Sequence, residues 1–275
     1  MLGPAPDRDE APTVVTREHI EGFLIHLAKL GRTPKTCQVR YGDLVQFFKW
    51  AVDDIGGIEN PIAKVDPPYY DPTTVPVPVV SADDQRALIA ACEVTRSTSA
   101  DDRFVLRRDE AIIRLFLDCG LRLHELVSLS VGDVDIDEDY VTVLGKGNRV
   151  RRVAFAASTA EALDRYVRRE RSVHRLAKRT DALWLGERGQ ALTDSGVTQM
   201  LRRRCDQAGI GRIHPHQLRH TAADREMAAG ATDSDVMASF GWKSRQMLIR
   251  YGRANAEERA LASKKRRKSI DEVLG

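Results

Sequence analysis

The chain has 275 residues, of which 42% are hydrophobic and 30% charged, a composition typical of a globular protein with one large or two modest domains. It has no run of about 18 apolar residues, and its first residues are acidic rather than basic, which argues against a membrane span or an export signal. Cys37, Cys92, Cys119 and Cys205 stand far apart without a CxxC pair. This spacing indicates neither a disulfide framework nor a zinc site, and we expect a protein of the reduced cytoplasm.

Two helices are predicted near the N-terminus, after polar residues 1–14, which we expect to be disordered. Thr16 is a candidate N-cap, and Gly31 ends the first apolar pattern. The second helix starts at Thr33, with Pro34 in its first turn, and runs to the Gly56-Gly57 pair. The apolar positions at helical spacing are Ile20, Phe23, Leu24, Leu27 and Leu30 in the first helix, and Tyr41, Leu44, Val45, Phe48 and Val52 in the second.

Residues 67–80 are predicted to link two domains. Five of the eleven prolines fall between Pro67 and Pro78, and such a segment can neither continue a helix nor lie in a central strand. We therefore expect a helical domain at 15–66 and a second domain from 81 onward.

The second domain is predicted to be mainly helical with a small sheet. Ser81 and Asp84 form a candidate capping box, and the next helix ends at Gly120. Residues 140–155 are typical of a β-hairpin around a GKGN turn. The remaining predicted helices are Ser158–Val173 with a capping box at Ser158 and Glu161, then 193–208, 216–229 and 233–240, followed by a basic tail at 263–275.

Positive charge is segregated along the chain, although the net charge is only +3. From Lys146 to Arg179 there are eleven Lys and Arg against three Asp and Glu, and from Lys243 to Lys268 there are ten against two. Residues 133–139 hold five acids and no base. Basic segments of this density are expected in a protein that binds a phosphate backbone, although most charged helix faces are merely solvated.

The segment HPHQLRHT at 214–221 places His216 and Arg219 one helical turn apart, so an imidazole and a guanidinium lie side by side. Such a pair suits a phosphate, although an HxxR pair by itself is more often structural. Arg122 follows a predicted helix end in GLRLHEL, with Glu125 placed to hold the next turn or the arginine itself.

Two further segments carry candidate residues. Lys146 lies between glycines at the tip of the predicted hairpin, where an ordinary solvated lysine is the simplest alternative. Trp242 precedes Tyr251 by nine residues in GWKSRQMLIRY, and an isolated tyrosine there would usually be half-buried packing.

Taken in order, these six residues resemble the active site of the tyrosine recombinases, the phage integrase and Xer-type family. The resemblance covers residues 80 to 262, with Trp242 at a position where the family usually has histidine. It implies an α+β fold, mainly α with a small β-sheet, in which a catalytic domain at 81–262 follows a helical, SAM-like core-binding domain at 15–66. That first domain is shorter than usual. Either the protein is a compact integrase that reads only core sites, or an upstream portion is absent.

The resemblance also implies a role for each residue. Arg122 and Arg219 would clamp the scissile phosphate, and Tyr251 would attack it to form a 3′-phosphotyrosine on the way to a Holliday junction. His216 would act as base or phosphate ligand, Trp242 as a hydrogen-bond donor, and Lys146 as the acid for the leaving 5′-oxygen. No metal and no cofactor is expected.

The expected partner is double-stranded DNA with paired inverted core sites, bound by a homotetramer in the cytoplasm of a bacterial or phage-infected cell, at the nucleoid. The resemblance also allows an accessory directionality factor. A type IB topoisomerase or a non-catalytic DNA-binding protein remains an alternative; a metal-dependent relaxase would need a histidine cluster that the seven histidines do not supply. The basic residues expected to contact DNA are Lys35, Arg40, Lys49, Arg149, Arg151, Arg202, Arg203 and Lys243.

Overall fold

A computed structural model of the chain describes residues 15–55, 59–71, 78–145 and 149–242, together with Leu248, Leu261 and Lys264. Residues 1–14 and 265–275 lie outside the described residues, as do Lys146, Lys243 and Tyr251. The chain divides into two compact units, Met1–Val75 and Pro76–Gly275, and the division falls within the predicted linker at 67–80. No described helix is long and apolar enough to cross a membrane.

The first unit contains helices α1 (Arg17–Lys29) and α2 (Pro34–Ile55). Thr16 is the N-cap of α1, and the Thr33 hydroxyl accepts a hydrogen bond from the Thr36 backbone in the first turn of α2, as the sequence predicts. The two helices pack through a small apolar cluster that includes Ile20, Leu24, Phe48, Ile62 and Val65.

The second unit has the predicted α+β character. Its described sheet has three antiparallel strands in the order β1-β2-β3, with bounds Val134–Asp135, Tyr140–Gly145 and Arg149–Ala154. Its helices are α3 (Ala82–Ala90), α4 (Ala100–Cys119), α5 (Leu123–Val127), α6 (Ala157–Asp164), α7 (Asp194–Ala208), α8 (Pro215–Ala229) and α9 (Asp233–Phe240). The mainly helical fold with a small sheet is thus confirmed, although β1 and α5 were not predicted.

Helix α4 forms the centre of this unit. Its Ile112, Ile113, Leu115 and Phe116 are fully buried, and the helix packs against α6 and α8. It ends at Gly120, whose φ of +54° lies in the left-handed region that glycine adopts readily. A Cβ at this position would collide with the Phe240 ring, so α9 can pack here only against a glycine.

The hairpin has the predicted location. Strands β2 and β3 pair from Tyr140 opposite Ala154 to Gly145 opposite Arg149. Because alternate residues of a strand share a face, Arg151 lies on the same side of β3 as the buried Val153, whereas Arg152 is exposed.

The predicted capping box at Ser158 and Glu161 is wrong. Helix α6 begins at Ala157 with Ala156 as its N-cap. The carboxylate of Asp118, from the end of α4, accepts hydrogen bonds from the Ala156 backbone at 3.0 Å and from the Thr159 hydroxyl at 2.5 Å. A side chain from a distant helix therefore replaces the local cap, which a local sequence pattern cannot reveal.

The helix predicted to run on to Val173 is α-helical only to Asp164 and continues as a π-helical segment, Arg165–Arg171. Several arginines of this segment have acidic or carbonyl partners within the fold. Arg168 pairs with Asp137 at 2.8 Å, and Arg171 is buried among backbone carbonyls. Part of the charge separation along the sequence is thus cancelled in the fold.

Candidate active site

Arg122 is held by Glu125 at the start of α5. The Arg122 backbone N–H donates to Oε2 of Glu125 at 2.8 Å, and its Nη1 donates to Oε1 at 2.8 Å. The sequence suggested that Glu125 could hold either the next turn or the arginine itself, and the structure shows both contacts. The Arg122 side chain remains 40% exposed, so its guanidinium is both oriented and accessible.

Glu125 also binds two other arginines. Arg151 forms a bidentate pair with it, from Nη1 to Oε1 at 3.1 Å and from Nη2 to Oε2 at 2.8 Å, and Nη1 of Arg219 lies 4.0 Å from Oε2. Burial alone would raise the pKa of the Glu125 carboxyl, but hydrogen bonds from Arg151 and Arg122 outweigh it and lower that pKa to about 2. Glu125 is therefore an ionised centre around which three guanidiniums gather.

The C-terminal end of α9 binds the same three arginines. The helix closes with Gly241 at φ +60°, where the Gly241 N–H donates to the Ala238 carbonyl and the Trp242 N–H to the Met237 carbonyl. The next three carbonyls accept from the arginines: Ser239 from Nε of Arg151 at 2.9 Å, Phe240 from Nη2 of Arg219 at 2.6 Å, and Gly241 from Nη2 of Arg122 at 3.4 Å. The negative end of the helix dipole favours cations at this position.

Arg219 is almost entirely buried, with its side chain 3% exposed. Besides the Phe240 carbonyl it binds the Gly120 carbonyl through Nη1, and its guanidinium lies 5.2 Å from the Phe240 ring centroid and 5.8 Å from that of Trp242. Arg219 is therefore fixed between the ends of α4 and α9 before any ligand arrives.

His216 and Trp242 flank this arrangement. His216 is exposed on α8, one turn before Arg219, and its ring stacks on that of His220 with centroids 5.9 Å apart. Trp242 is buried and packs against Phe240 at 5.1 Å. The structure therefore brings Arg122, Arg219 and Trp242 together around the end of α9, with His216 on the adjoining helix.

Lys146 and Tyr251 lie outside the described residues, but the described chain just before Lys146 adjoins the site. A Cβ at Gly145 would lie 3.3 Å from Nη1 of Arg151 and 3.9 Å from Oε1 of Glu125. The hairpin arm that precedes Lys146 therefore ends against the arginine cluster.

Of the eight residues predicted to contact DNA, seven lie within the described residues, and six of these are exposed. Lys35, Arg40 and Lys49 on α2, Arg149 on β3, and Arg202 on α7 are exposed, although Arg40 pairs with Asp43. Arg203 is 45% exposed and lies 3.3 Å from the buried Asp109. Arg151 differs from all of these because its side chain is 13% exposed and is bonded within the site.

Sequence reasoning missed the part that Arg151 and the end of α9 play in the site. The signal for Arg151 was present, because β-strand alternation places it on the face of Val153 and Phe155, but it was interpreted by its charge alone. Among the described residues, no group of three or more His, Cys, Asp or Glu side chains is placed to hold a metal ion.

Comparison with known proteins identifies the family. Residues 78–258 match the model of the phage integrase family. The chain is 30% identical over 259 residues to a tyrosine recombinase XerC of Corynebacterium efficiens, an alignment covering 94% of this chain and 78% of the relative.

Solved structures show the same fold. A XerH site-specific recombinase bound to its palindromic difH substrate in a post-cleavage complex matches with a TM-score of 0.72 at 17% identity, over 90% of this chain and 72% of that one. A lambda integrase tetramer bound to a Holliday junction matches with a TM-score of 0.63 at 17% identity, over 84% and 65% of the two chains. The chain belongs to the phage integrase family and is a tyrosine recombinase.

Proposed function

We propose that this enzyme cuts and rejoins duplex DNA at specific sites through a covalent 3′-phosphotyrosine formed on Tyr251. The observation that carries the proposal is the cluster of Arg122, Arg151 and Arg219 around Glu125 and the end of α9. Three guanidiniums around one carboxylate leave a net positive site, which suits a phosphodiester.

Arg122 and Arg219 are proposed to bind the scissile phosphate. A guanidinium presents paired N–H donors that match the non-bridging phosphate oxygens, and it favours the additional charge of the pentacovalent transition state. Arg122 is the accessible member, at 40% exposure, and Arg219 is the fixed one, at 3%. Preorganised donors of this kind do not have to reorient during the reaction.

Tyr251 is the proposed nucleophile. A phenol has a pKa of about 10, so attack at neutral pH needs a proton acceptor and a positive environment. His216 is exposed beside Arg219 on α8 and is the proposed base or phosphate ligand. Trp242 is proposed to support the phosphate site through its indole N–H, which donates but cannot titrate.

Lys146 is proposed to protonate the departing 5′-oxygen. Support comes from the hairpin arm, which ends at Gly145 next to Glu125 and Arg151. A cationic acid adjoining a phosphate site shortens the path for proton transfer. We propose that no metal or nucleotide cofactor takes part, since a phosphotyrosine conserves the bond energy needed for religation.

The partner is proposed to be duplex DNA with paired inverted core sites, bound by four copies of the chain. The lambda integrase tetramer on a Holliday junction supports this assembly by similarity of fold.

The unit at 15–66 is proposed as the core-binding domain and 81–262 as the catalytic domain. Exposed basic residues of α2, β3 and α7 would contact the phosphate backbone: Lys35, Arg40, Lys49, Arg149, Arg202 and Arg203. Chromosomal or phage DNA in the cytoplasm of a bacterial cell is the natural substrate, and an accessory directionality factor remains compatible with this function.

To test the proposal, the DNA that flanks the gene is searched for inverted repeats around a short spacer. A site found in this way is used as the substrate. Incubation of the full chain with a nicked suicide duplex of this site should give a slow protein–DNA band on a denaturing gel. A scrambled duplex is the control. Equal adduct on both duplexes, with relaxation of supercoiled plasmid by a monomer, would favour the topoisomerase alternative, and binding without any adduct would favour a non-catalytic DNA-binding protein.

A further inference from the structure

Arg151 is the one member of the arginine cluster to which the proposed chemistry gives no role. It donates hydrogen bonds to both carboxylate oxygens of Glu125 and to the Ser239 carbonyl. All three of its guanidinium nitrogens therefore donate within the protein. These contacts account for the side chain without a contact to the DNA backbone.

The guanidinium of Arg151 joins three elements of the second unit. Glu125 belongs to α5, Ser239 lies at the end of α9, and Arg151 itself belongs to β3. Two glycines pack closely on the same group, because a Cβ at Gly145 or at Gly241 would lie 3.3 or 3.4 Å from Nη1. Few side chains other than arginine could make these contacts in one plane.

The two groups that Arg151 binds are also those that orient the other arginines. Glu125 binds both the backbone and the side chain of Arg122, and the carbonyls that follow Ser239 accept from Arg219 and Arg122. Arg151 thus holds Glu125 and the end of α9 at a fixed separation. Without it, Glu125 would keep Arg122 as its nearest cation and draw that guanidinium toward itself.

We infer that Arg151 is a positioning residue, which sets the placement of Arg122 and Arg219 for the transition state by holding Glu125 against the C-terminal end of α9. This inference rests on the proposed function, since it assigns Arg151 a part in the same cleavage step. Arg151 acts on the two phosphate-binding arginines, Arg122 and Arg219, and not on the proposed leaving-group acid, Lys146.

The experiment measures the single-turnover rate of covalent adduct formation at saturating protein concentration for the Arg151→Gln and Arg151→Lys variants. It also measures the half-site affinity of each variant at two salt concentrations. Loss of a side chain that orients the ligands of a metal typically costs about 10- to 100-fold in activity, and we expect a loss of the same order for Arg151→Gln, which removes a side chain that orients two arginines. Arg151→Lys should be slowed less, because an ammonium keeps the charge but not the planar set of donors. Half-site affinity and its salt dependence should stay within about twofold, because a residue that makes no phosphate contact leaves the salt slope unchanged.

Arg152→Gln is the matched control. It removes the same charge one residue along β3, from an exposed side chain that lies 4.8 Å from the Tyr140 ring centroid. It should cleave at the wild-type rate. Thermal unfolding of every variant, followed in parallel, establishes which are folded, and Arg151→Lys carries the test if Arg151→Gln does not fold.

A second substrate separates the routes by which Arg151 could act. A bridging 5′-thio phosphodiester has a leaving group that needs no proton. The Arg151 variants should therefore cleave this substrate as slowly, relative to wild type, as they cleave ordinary DNA. Restored cleavage on this substrate would overturn the inference, because Arg151 would then act through Lys146. Wild-type cleavage at saturation, or weaker binding with a smaller salt slope and normal cleavage, would overturn it too. The proposed function fails separately, if the wild-type chain forms no adduct at all.

Discussion

Arg219 donates a hydrogen bond to the carbonyl of Gly120, so the buried arginine of α8 is fixed by the residue that ends α4. Gly120 has a φ of +54°, and a Cβ there would meet the Phe240 ring and lie 3.1 Å from Cβ of Ala222. The same residue therefore ends a core helix, admits α9 and binds an arginine of the site.

We expect Gly120→Ala to destabilise the fold and to abolish cleavage. The left-handed backbone costs a residue with a side chain about 1–2 kcal/mol, and overpacking the contact with Phe240 adds about 1–3 kcal/mol. Thermal unfolding measures the loss, with Gly209→Ala as the control because Gly209 has a φ of +66° but no atom within 4 Å of its Cβ position. Equal melting temperatures for the two variants would show that the contact with Phe240 contributes nothing.

Glu125→Gln should remove the centre of the arginine cluster. Breaking a buried ion pair typically costs about 3–5 kcal/mol, because the remaining charges lose their partner. Glu161→Gln is the control, since this carboxylate is 72% exposed and its pair with Arg165 is worth little. Urea unfolding at pH 7 should therefore separate the two variants.

The same variant gives a prediction for pH. The folded-state pKa of Glu125 is lowered from 4.5 to about 2, so its stabilising effect is fully present above pH 4.5 and is lost as pH falls toward 2. The difference in unfolding free energy between wild type and Glu125→Gln should shrink across that interval. A difference that stays constant from pH 5 to pH 2 would mean that folding does not lower the pKa of Glu125.

Arg149 and Arg168 should differ in their effect on DNA binding. Arg149 is exposed at the start of β3, whereas Arg168 pairs with Asp137 at 2.8 Å and with Asp164 at 3.3 Å. Arg149→Gln should weaken half-site binding for all sequences and reduce the salt slope by about one, as loss of a phosphate contact does. Arg168→Gln should leave both quantities unchanged, and equal effects would refute the distinction.

The sequence predicted most of the helices because their ends are marked locally. Four residues cap or end a helix as predicted, namely Thr16, Thr33, Ser81 and Gly120. Helix α9 covers the predicted residues 233–240. The hairpin was likewise visible in its β-branched strands and glycine-rich turn. These features depend on neighbours in sequence, which is why a single chain reveals them.

What the sequence did not predict depends on residues far apart in the chain. Asp118 caps α6 in place of Ser158, and Arg151 reaches Glu125 and Ser239 across 26 and 88 positions. Arg168 was counted as free basic charge because its partner Asp137 lies in a separate acidic segment. The ordered set of six residues indicated the chemistry, whereas the contacts that hold four of them in place required the fold.

Lys146→Ala should cleave ordinary DNA poorly but cleave a bridging 5′-thio substrate well. The thiolate leaves without a proton, so the substrate bypasses the acid that Lys146 is proposed to supply. Arg122→Ala should stay inactive on both substrates, because it removes a ligand of the phosphate itself. If Lys146→Ala is equally slow on both substrates, the lysine has another role.

The most direct measurement is the identity of the residue that becomes attached to DNA. The adduct from the suicide duplex would be digested with protease and nuclease, and the modified peptide sequenced by mass spectrometry. The mechanism predicts a phosphotyrosine at Tyr251, no adduct from Tyr251→Phe despite intact binding, and full adduct from Tyr140→Phe and from a folded Tyr166→Phe. An adduct that persists in Tyr251→Phe, or that maps to another residue, would contradict it.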